Sequence, residues 1–395
     1  MQIALPHGHS SILPPPDTDA LAHSLACAEL LRAEIATAGG WIPFAQYMDR
    51  ALYAPGLGYY AAGARKFGAE GDFVTAPEIS PLFGRCLARS IEDSIRATQG
   101  SVLELGPGSG KLARDVLLEL DARHALPGRY LLLEVSADLR ERQHALLSAL
   151  PPHLFKRVEW CDALPEAFRG AVLANEVLDV VPIHLLMRRG GKWQERGVAA
   201  IGETMGWADR RCADPDLTAL AVRIDEAQFA GAIPEDYVVE VCPQACALAA
   251  SVGTALAEGV ILWIDYGFQA REVYHPSRHM GTLMCHYRHF AHPDPFLYPG
   301  LQDITAHVDF SAIAKAGADA GLALAGYSTQ AQFLLASGLV DILPKEGSAE
   351  TQIRTAQQVQ RLTSPAEMGE LFKVLGFAKG NHEIAAFAKA RPLPL

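Results

Sequence analysis

The chain has 395 residues, half of them apolar, with 34 lysines and arginines against 45 aspartates and glutamates. The resulting net charge of −11 speaks against a nucleic-acid partner, which needs a basic face. No run approaches 18 uninterrupted apolar residues, so no membrane-spanning helix is expected.

Residues 1–18, with Pro14-Pro15-Pro16, read as a flexible arm. The first sixteen positions hold no arginine and no basic stretch followed by an apolar core, so neither a transit peptide nor a secretory signal is expected. Seven scattered cysteines predict reduced thiols, and the cytoplasm is favoured over the mitochondrial matrix. Thr18 is the predicted cap of a helix over about Asp19 to Ala38, which Gly39-Gly40 ends. A second helix is expected from Ile42, followed by an ordered loop through Tyr53 to Tyr60. The stretch Gly71-Asp72-Phe73-Val74-Thr75-Ala76-Pro77-Glu78-Ile79-Ser80-Pro81 is broken by two prolines and reads as a loop, with a helix from near Ser80 to about Ala97. Residues 19–97 are thus expected to form a helical cap plus this loop.

The core of the chain opens at Ser101-Val102-Leu103-Glu104-Leu105-Gly106-Pro107-Gly108-Ser109-Gly110. An apolar strand ends in an acid, a G-x-G-x-G loop follows, and Leu112 to Leu120 continues as an amphipathic helix. Such a unit lets backbone N–H groups approach a ligand at a helix N-terminus. A phosphate loop of the form G-x-x-x-x-G-K-[ST] fails at Leu105 and Leu112. A dinucleotide loop fails at Lys111, where its third glycine belongs. The pattern E-x-G-x-G-x-G resembles the first motif of class I S-adenosylmethionine (SAM) methyltransferases, with Glu104 placed to face a cationic amino group. An ordinary glycine turn is the plain alternative for this loop taken alone.

Three further strands end in polar residues. Arg129 to Val135 carries Glu134, suited to ribose hydroxyls; Val158 to Cys161 leads to Asp162-Ala163, similar to the acidic-plus-small pair beside adenine in these enzymes. Ala171 to Ala174 leads to Asn175-Glu176-Val177-Leu178-Asp179. Four tips in order match the rule that α/β proteins bind ligands outside the carboxyl ends of their strands. Then His184 to Arg189, Gly190-Gly191 and Lys192 to Val198 read as a hairpin. Tyr237 to Val241 is another predicted strand, followed by a helix through Ala257. Residues 183–257 are expected to form an inserted β-rich subdomain, with 98–182 and 258–395 as the cofactor-binding core. Val260 to Ile264 is the predicted fifth parallel strand, with a helix near Phe310–Ala320, a last strand near Ala323–Tyr327 and helix from Gln357 to Phe372 interrupted at Pro365.

A longer set of motifs resembles one family. G-D-F-x-T-x-P-E-x-S-x-x-F-G over 71–84, Asn175-Glu176-x-x-Asp179, Ile264-Asp265-Tyr266-Gly267, Gly281-Thr282-Leu283 and Pro299-Gly300-x-Gln302-Asp303-Ile304-Thr305-x-His307-Val308 are similar to the MidA-like SAM-dependent methyltransferases. That family includes the mitochondrial complex I assembly factor that acts as a protein arginine methyltransferase. The resemblance implies an α/β class I methyltransferase (Rossmann-like) with a doubly wound sheet, an N-terminal helical cap and an inserted β-rich subdomain. It also implies S-adenosyl-L-methionine as cofactor and a protein substrate, with a respiratory complex I subunit as one acceptor. Another protein residue, a small molecule, or a noncatalytic assembly role remain the alternatives, and a homodimer is an assembly left open. The expected cofactor contacts are Glu104, Gly106, Gly108, Gly110, Glu134, Asp162 and Asn175.

For the chemistry, a guanidinium acceptor calls for carboxylates. Glu176 and Asp179 past the fourth strand, with Asp72 and Glu78 in the 71–84 segment, are the candidates; solvated acids or helix caps are the plainer reading of each. Asp265 either faces substrate or caps the turn at Gly267, and Asp303 with His307 suggests an acid–imidazole pair. His286, His289 and His292 lack the spacing and cysteines of a metal site, and none is expected.

Overall fold

A computed structural model describes residues 13–61, 75–344, 346–390 and Leu393. Asp72 and the start of the 71–84 segment lie outside the described residues.

The central sheet takes its strands in chain order from Ser101–Leu105, Tyr130–Leu133, Val158–Cys161, Phe168–Asn175, Leu256–Phe268, Ala323–Thr329 and Phe372–Lys379. In space they lie sixth, seventh, fifth, fourth, first, second, third. The first five run parallel. The seventh is antiparallel to both of its neighbours, the fifth and the sixth. Alternation along the strands splits the core into two layers. Val102, Leu132, Leu173, Val260 and Leu262 pack on one face, where Pro81–Thr98 and Lys111–Ala122 cover the sheet. Leu103, Leu131, Val172, Ile261 and Trp263 pack on the other, against Pro243–Ala255 and Phe310–Asp319. Burial on both faces is why these strands are nearly continuous apolar runs.

A second, antiparallel sheet joins Ile42–Pro43, Lys192–Ile201, His184–Arg189 and Val238–Val241, with Thr204–Arg211 pairing to the 192–201 strand. Its inner face (Ile183, Leu185, Met187, Val198) packs against Leu31, Ile35, Phe44, Tyr47 and Met48 of the first two helices. The cap and the hairpin therefore share one core.

Several expectations change in detail. The first helix spans Thr18–Thr37 and its cap is Asp17, whose side chain accepts from the Ala20 N–H; Thr18 lies one position inside. Ala323–Thr329 is not the last strand, because Phe372–Lys379 follows it. The Thr204–Arg211 strand, not among those predicted, extends the expected hairpin by pairing with Lys192–Ile201. The helix Pro243–Ala255 packs Ala245, Ala249 and Val252 on the central sheet, although it adjoins the second sheet in sequence.

Candidate functional site

A cavity of about 680 Å³ lies at the carboxyl ends of the first, second and fourth strands, where the strand order reverses. The glycine loop forms one wall. Gly106, Gly108 and Gly110 have φ of 58°, 53° and 82°, a region that costs a residue with a Cβ about 1–2 kcal/mol. A Cβ on Gly106 would stand 3.1 Å from Val177 Cγ2. Gly106 and Gly108 line the cavity, so bare backbone faces a ligand there. Gly110 does not; it is the N-cap of the following helix. Lys111, the residue that spoils the dinucleotide motif, pairs with Glu78, and Ser109 Oγ donates to the same carboxylate. Glu78 thus clasps the short helix Ala76–Ile79 onto the glycine loop, with both oxygens engaged.

Glu104 is buried at the end of the first strand and accepts from Tyr130 Oη at 2.6 Å. Burial pushes its carboxyl up to about 8, with the Tyr130 hydrogen bond acting the other way. Glu134 lines the same wall, accepting from the Ser136 N–H at 2.9 Å and from Gln143 Nε2 at 3.1 Å; burial raises its carboxyl too. Each carboxylate oxygen has a second lone pair, so both keep capacity for hydroxyl donors.

Gln143 is the residue that sequence reasoning missed. Fully buried, it donates to Gly108 O at 2.8 Å and to Glu134, and accepts from Trp160 Nε1 at 2.9 Å. One side chain therefore fixes glycine loop, second-strand acid and third strand relative to one another. A signal existed: Leu139, Gln143 and Leu147 form the buried stripe of helix Ala137–Leu147, so an amide sits where periodicity wants an aliphatic residue.

Asp162 is not brought to the cavity. Its side chain is 89% exposed and held by Arg140 Nη2 at 2.6 Å. The same guanidinium donates to the Glu134 and Cys161 carbonyls, so it ties the ends of the second and third strands together.

At the far side stand Asn175, Glu176 and Asp179. Glu176 has φ of 53°, unusual for a residue with a Cβ. Its N–H donates to Ile264 O at 2.8 Å, and Asn175 Nδ2 donates to its Oε1 at 3.1 Å. Burial, then Asp179, lifts the Glu176 carboxyl to about 8, against hydrogen bonds from Asn175 and the Ala76 N–H. Burial lifts Asp179 to about 7, with Tyr266 opposing. Tyr53 and Tyr60 stack at 5.6 Å along this wall, and Tyr60 Oη donates to Asp303 at 3.1 Å.

Asp265 caps neither the turn at Gly267 nor substrate: its Oδ2 accepts the N–H groups of Val177, Leu178 and Asp179. Glu240, also buried, accepts similarly from Thr282 and Leu283 in the Gly281-Thr282-Leu283 motif. Asp303 takes Tyr60 and the Ile304 N–H rather than an imidazole. His307, pushed down to about 4 mainly by burial, lies edge-on to Tyr266 at 5.3 Å. His286 lines the cavity, His289 lies in a hairpin turn and His292 pairs across from Cys285. Among the described residues no metal-binding group of three forms.

Asn175 Oδ1 and His307 Nδ1 are buried without hydrogen-bond partners, and both residues line this cavity. Each such atom costs about 1–3 kcal/mol unless a ligand engages it. The donor set fits a zwitterionic adenosyl ligand: glycine backbone and Glu104 for its amino-acid end, Glu134 for its ribose.

Comparison with known proteins agrees with this chemistry. A family model described as putative S-adenosyl-L-methionine-dependent methyltransferase matches residues 83–328. The mitochondrial protein arginine methyltransferase NDUFAF7 of Danio rerio is 30% identical over 366 residues, covering 85% of this chain and 83% of the relative. The Drosophila melanogaster homolog is 30% identical over 387 residues, covering 89% and 85%. A crystal structure from Burkholderia thailandensis bound to S-adenosyl-homocysteine is 48% identical, covers 96% of this chain and 98% of its own, and superposes with a TM-score of 0.90. With a match extending from the helical cap through the cofactor wall to the sixth strand, the chain belongs to the S-adenosyl-L-methionine-dependent methyltransferases.

Proposed function

We propose that this enzyme methylates arginine side chains of a protein substrate. The observation that carries the reading is the pair Glu176 and Asp179: two carboxylates on one cavity wall, Asp179 buried and Glu176 half-buried, neither in an ion pair with a cation of this chain among the described residues. An arginine head group supplies that missing positive charge. Its planar fork suits two carboxylates, and the stacked Tyr53 and Tyr60 offer ring faces beside them. The relatives named above as protein arginine methyltransferases support the same acceptor.

S-adenosyl-L-methionine supplies the methyl group from its sulfonium. The glycine loop, Glu104, Glu134 and Asn175 hold the cofactor, while Glu176 and Asp179 hold the acceptor nitrogen in line with it. A guanidinium bound between them draws both carboxylates into the ionised form. When the nitrogen gains a methyl group it must shed a proton, and an adjacent ionised carboxylate is placed to receive it. Tyr53, Tyr60 and Phe372 narrow the cavity against water. A respiratory complex I subunit, or its bacterial counterpart, is the substrate suggested by the family resemblance. Seven free cysteines suit a reducing cytoplasm.

The test is labelled-methyl transfer to arginine peptides and candidate proteins, normalised to folded enzyme, for wild type and Glu176→Gln. The substitution keeps size and removes charge. Turnover should fall at least hundredfold while SAM affinity stays within threefold. An active Gln variant, or label recovered on another residue type, overturns the reading.

A further inference from the structure

We infer that Asp265, which does not itself line the cavity, is the positioning residue of the acceptor wall: its carboxylate anchors the backbone that aims Glu176 and Asp179. This rests on the proposed acceptor site. The corner after the fourth strand must turn sharply, and it does so through Glu176 in the left-handed region, at φ 53°. Glutamate has no intrinsic preference for that conformation, so neighbouring bonds must hold it. On one side the Glu176 N–H is tied to Ile264 O at 2.8 Å. On the other, the next three N–H groups converge on a single oxygen, Asp265 Oδ2: Leu178 at 2.8 Å, Val177 at 3.1 Å and Asp179 at 3.3 Å. Asp265 Oδ1 is used as well, accepting the Tyr266 N–H at 2.9 Å.

The arrangement resembles a cap with no regular helix to follow. Asp265 is 1% exposed, on the fifth strand between Val177–Asp179 and the seventh strand, where it registers with Lys373. Its neighbours Ile264 and Tyr266 bond the same corner or line the cavity. Removing the carboxylate leaves three buried N–H groups in search of an acceptor and frees Glu176 to relax to negative φ, which swings its side chain off the wall. Other bonds on this corner do not replace it: the Ala306 N–H donates to Asp179 O at 3.0 Å and the Val181 N–H to Leu178 O at 3.3 Å, so both engage carbonyls and leave the three amides to Asp265.

The experiment compares Asp265→Ala with Asp265→Asn in the full-length enzyme, using three readouts: kcat for arginine transfer, SAM affinity by calorimetry, and backbone hydrogen exchange. Asn retains an oxygen for the three amides; Ala does not. Asp265→Ala should lower kcat at least hundredfold with SAM affinity within threefold, and exchange at 177–179 should accelerate while 101–105 and 260–264 stay protected. Asp265→Asn should keep at least a tenth of wild-type kcat. Unchanged exchange at 177–179 in the Ala variant overturns the inference, as does kcat within threefold of wild type. Equal inactivity of both variants with protection lost throughout the sheet also overturns it, since that marks a general core defect. If wild-type enzyme transfers nothing to arginine, the functional reading fails by itself, and the exchange comparison still decides the role of Asp265.

Discussion

Replacing Gln143 by leucine isolates the part of the cofactor wall that depends on cross-bracing. The two side chains are similar in size, so the helix and its buried stripe stay filled. Three hydrogen bonds disappear: to Gly108 O at 2.8 Å, to Glu134 Oε2 at 3.1 Å and from Trp160 Nε1 at 2.9 Å. Neutral bonds contribute about 1 kcal/mol each and one to a carboxylate about 1.5–3 kcal/mol, so roughly 3–5 kcal/mol of bracing is removed. Only the first two bonds bear on the ligand wall. Their share, roughly 1.4–2.8 kcal/mol if half or more is felt in the complex, corresponds to about ten- to hundredfold weaker SAM binding. Trp160→Phe provides the control, since it deletes only the third bond. It should lower the melting temperature by a few degrees and leave SAM affinity within twofold. Calorimetric titration of both variants decides the matter. If Gln143→Leu binds SAM within twofold of wild type, the glycine loop and Glu134 hold their places without the brace and the reasoning is refuted.

Other outcomes follow from the same wall. Glu134→Ala should weaken SAM binding about tenfold to a hundredfold, from the loss of roughly 1.5–3 kcal/mol of hydrogen bonding to a charged group; calorimetry reads it directly. Gly106→Ala should cost about 1–2 kcal/mol of stability through its left-handed backbone and crowd Val177, visible as a lowered melting temperature together with weaker binding. Glu78→Ala should raise the SAM dissociation constant severalfold yet spare turnover of the bound enzyme, because Glu78 grips Ser109 and Lys111; a collapse of kcat at saturating SAM would make it a substrate contact instead. The last concerns pH. Glu176 and Asp179 are lifted to about 8 and about 7 from ordinary values of 4.5 and 3.8, so between those limits the native state binds protons that the unfolded chain has released. Stability then falls as pH rises through this window. The ligand-free enzyme should melt at higher temperature at pH 5.5 than at pH 8.5, and Glu176→Gln should flatten the slope.

What the sequence discloses here divides along physical lines. The strand–glycine–helix unit at 101–120 is readable because its signals are local: apolar run, three glycines, helical period. Glu104 and Glu134 reach the cavity because a strand tip fixes where such residues stand. Asp162 occupies an equivalent tip and yet turns away, held by Arg140 from the helix after the second strand; strand position determines a Cα, not a side-chain direction. Glu78 reads as a free acid because its partners are 31 and 33 residues downstream. The seventh strand hides for a different reason. Gly376 in its middle looks like a breaker, but a Cβ there would lie 2.2 Å from the Phe387 ring, so packing rather than flexibility demands the glycine. The 204–211 strand is concealed by its own exposure: with little of it buried, no apolar alternation marks it.

The placement of that seventh strand has a consequence during synthesis. It slots between the fifth and sixth strands, yet it emerges about a hundred residues after the fifth strand is complete, which at 5–20 residues per second is a wait of roughly 5–20 s on the ribosome. Throughout that interval the nascent protein carries a long apolar strand, Leu256–Phe268, with one edge unpaired. The central sheet is thus complete only once residues 372–379 arrive, and until then its most exposed liability is its own middle.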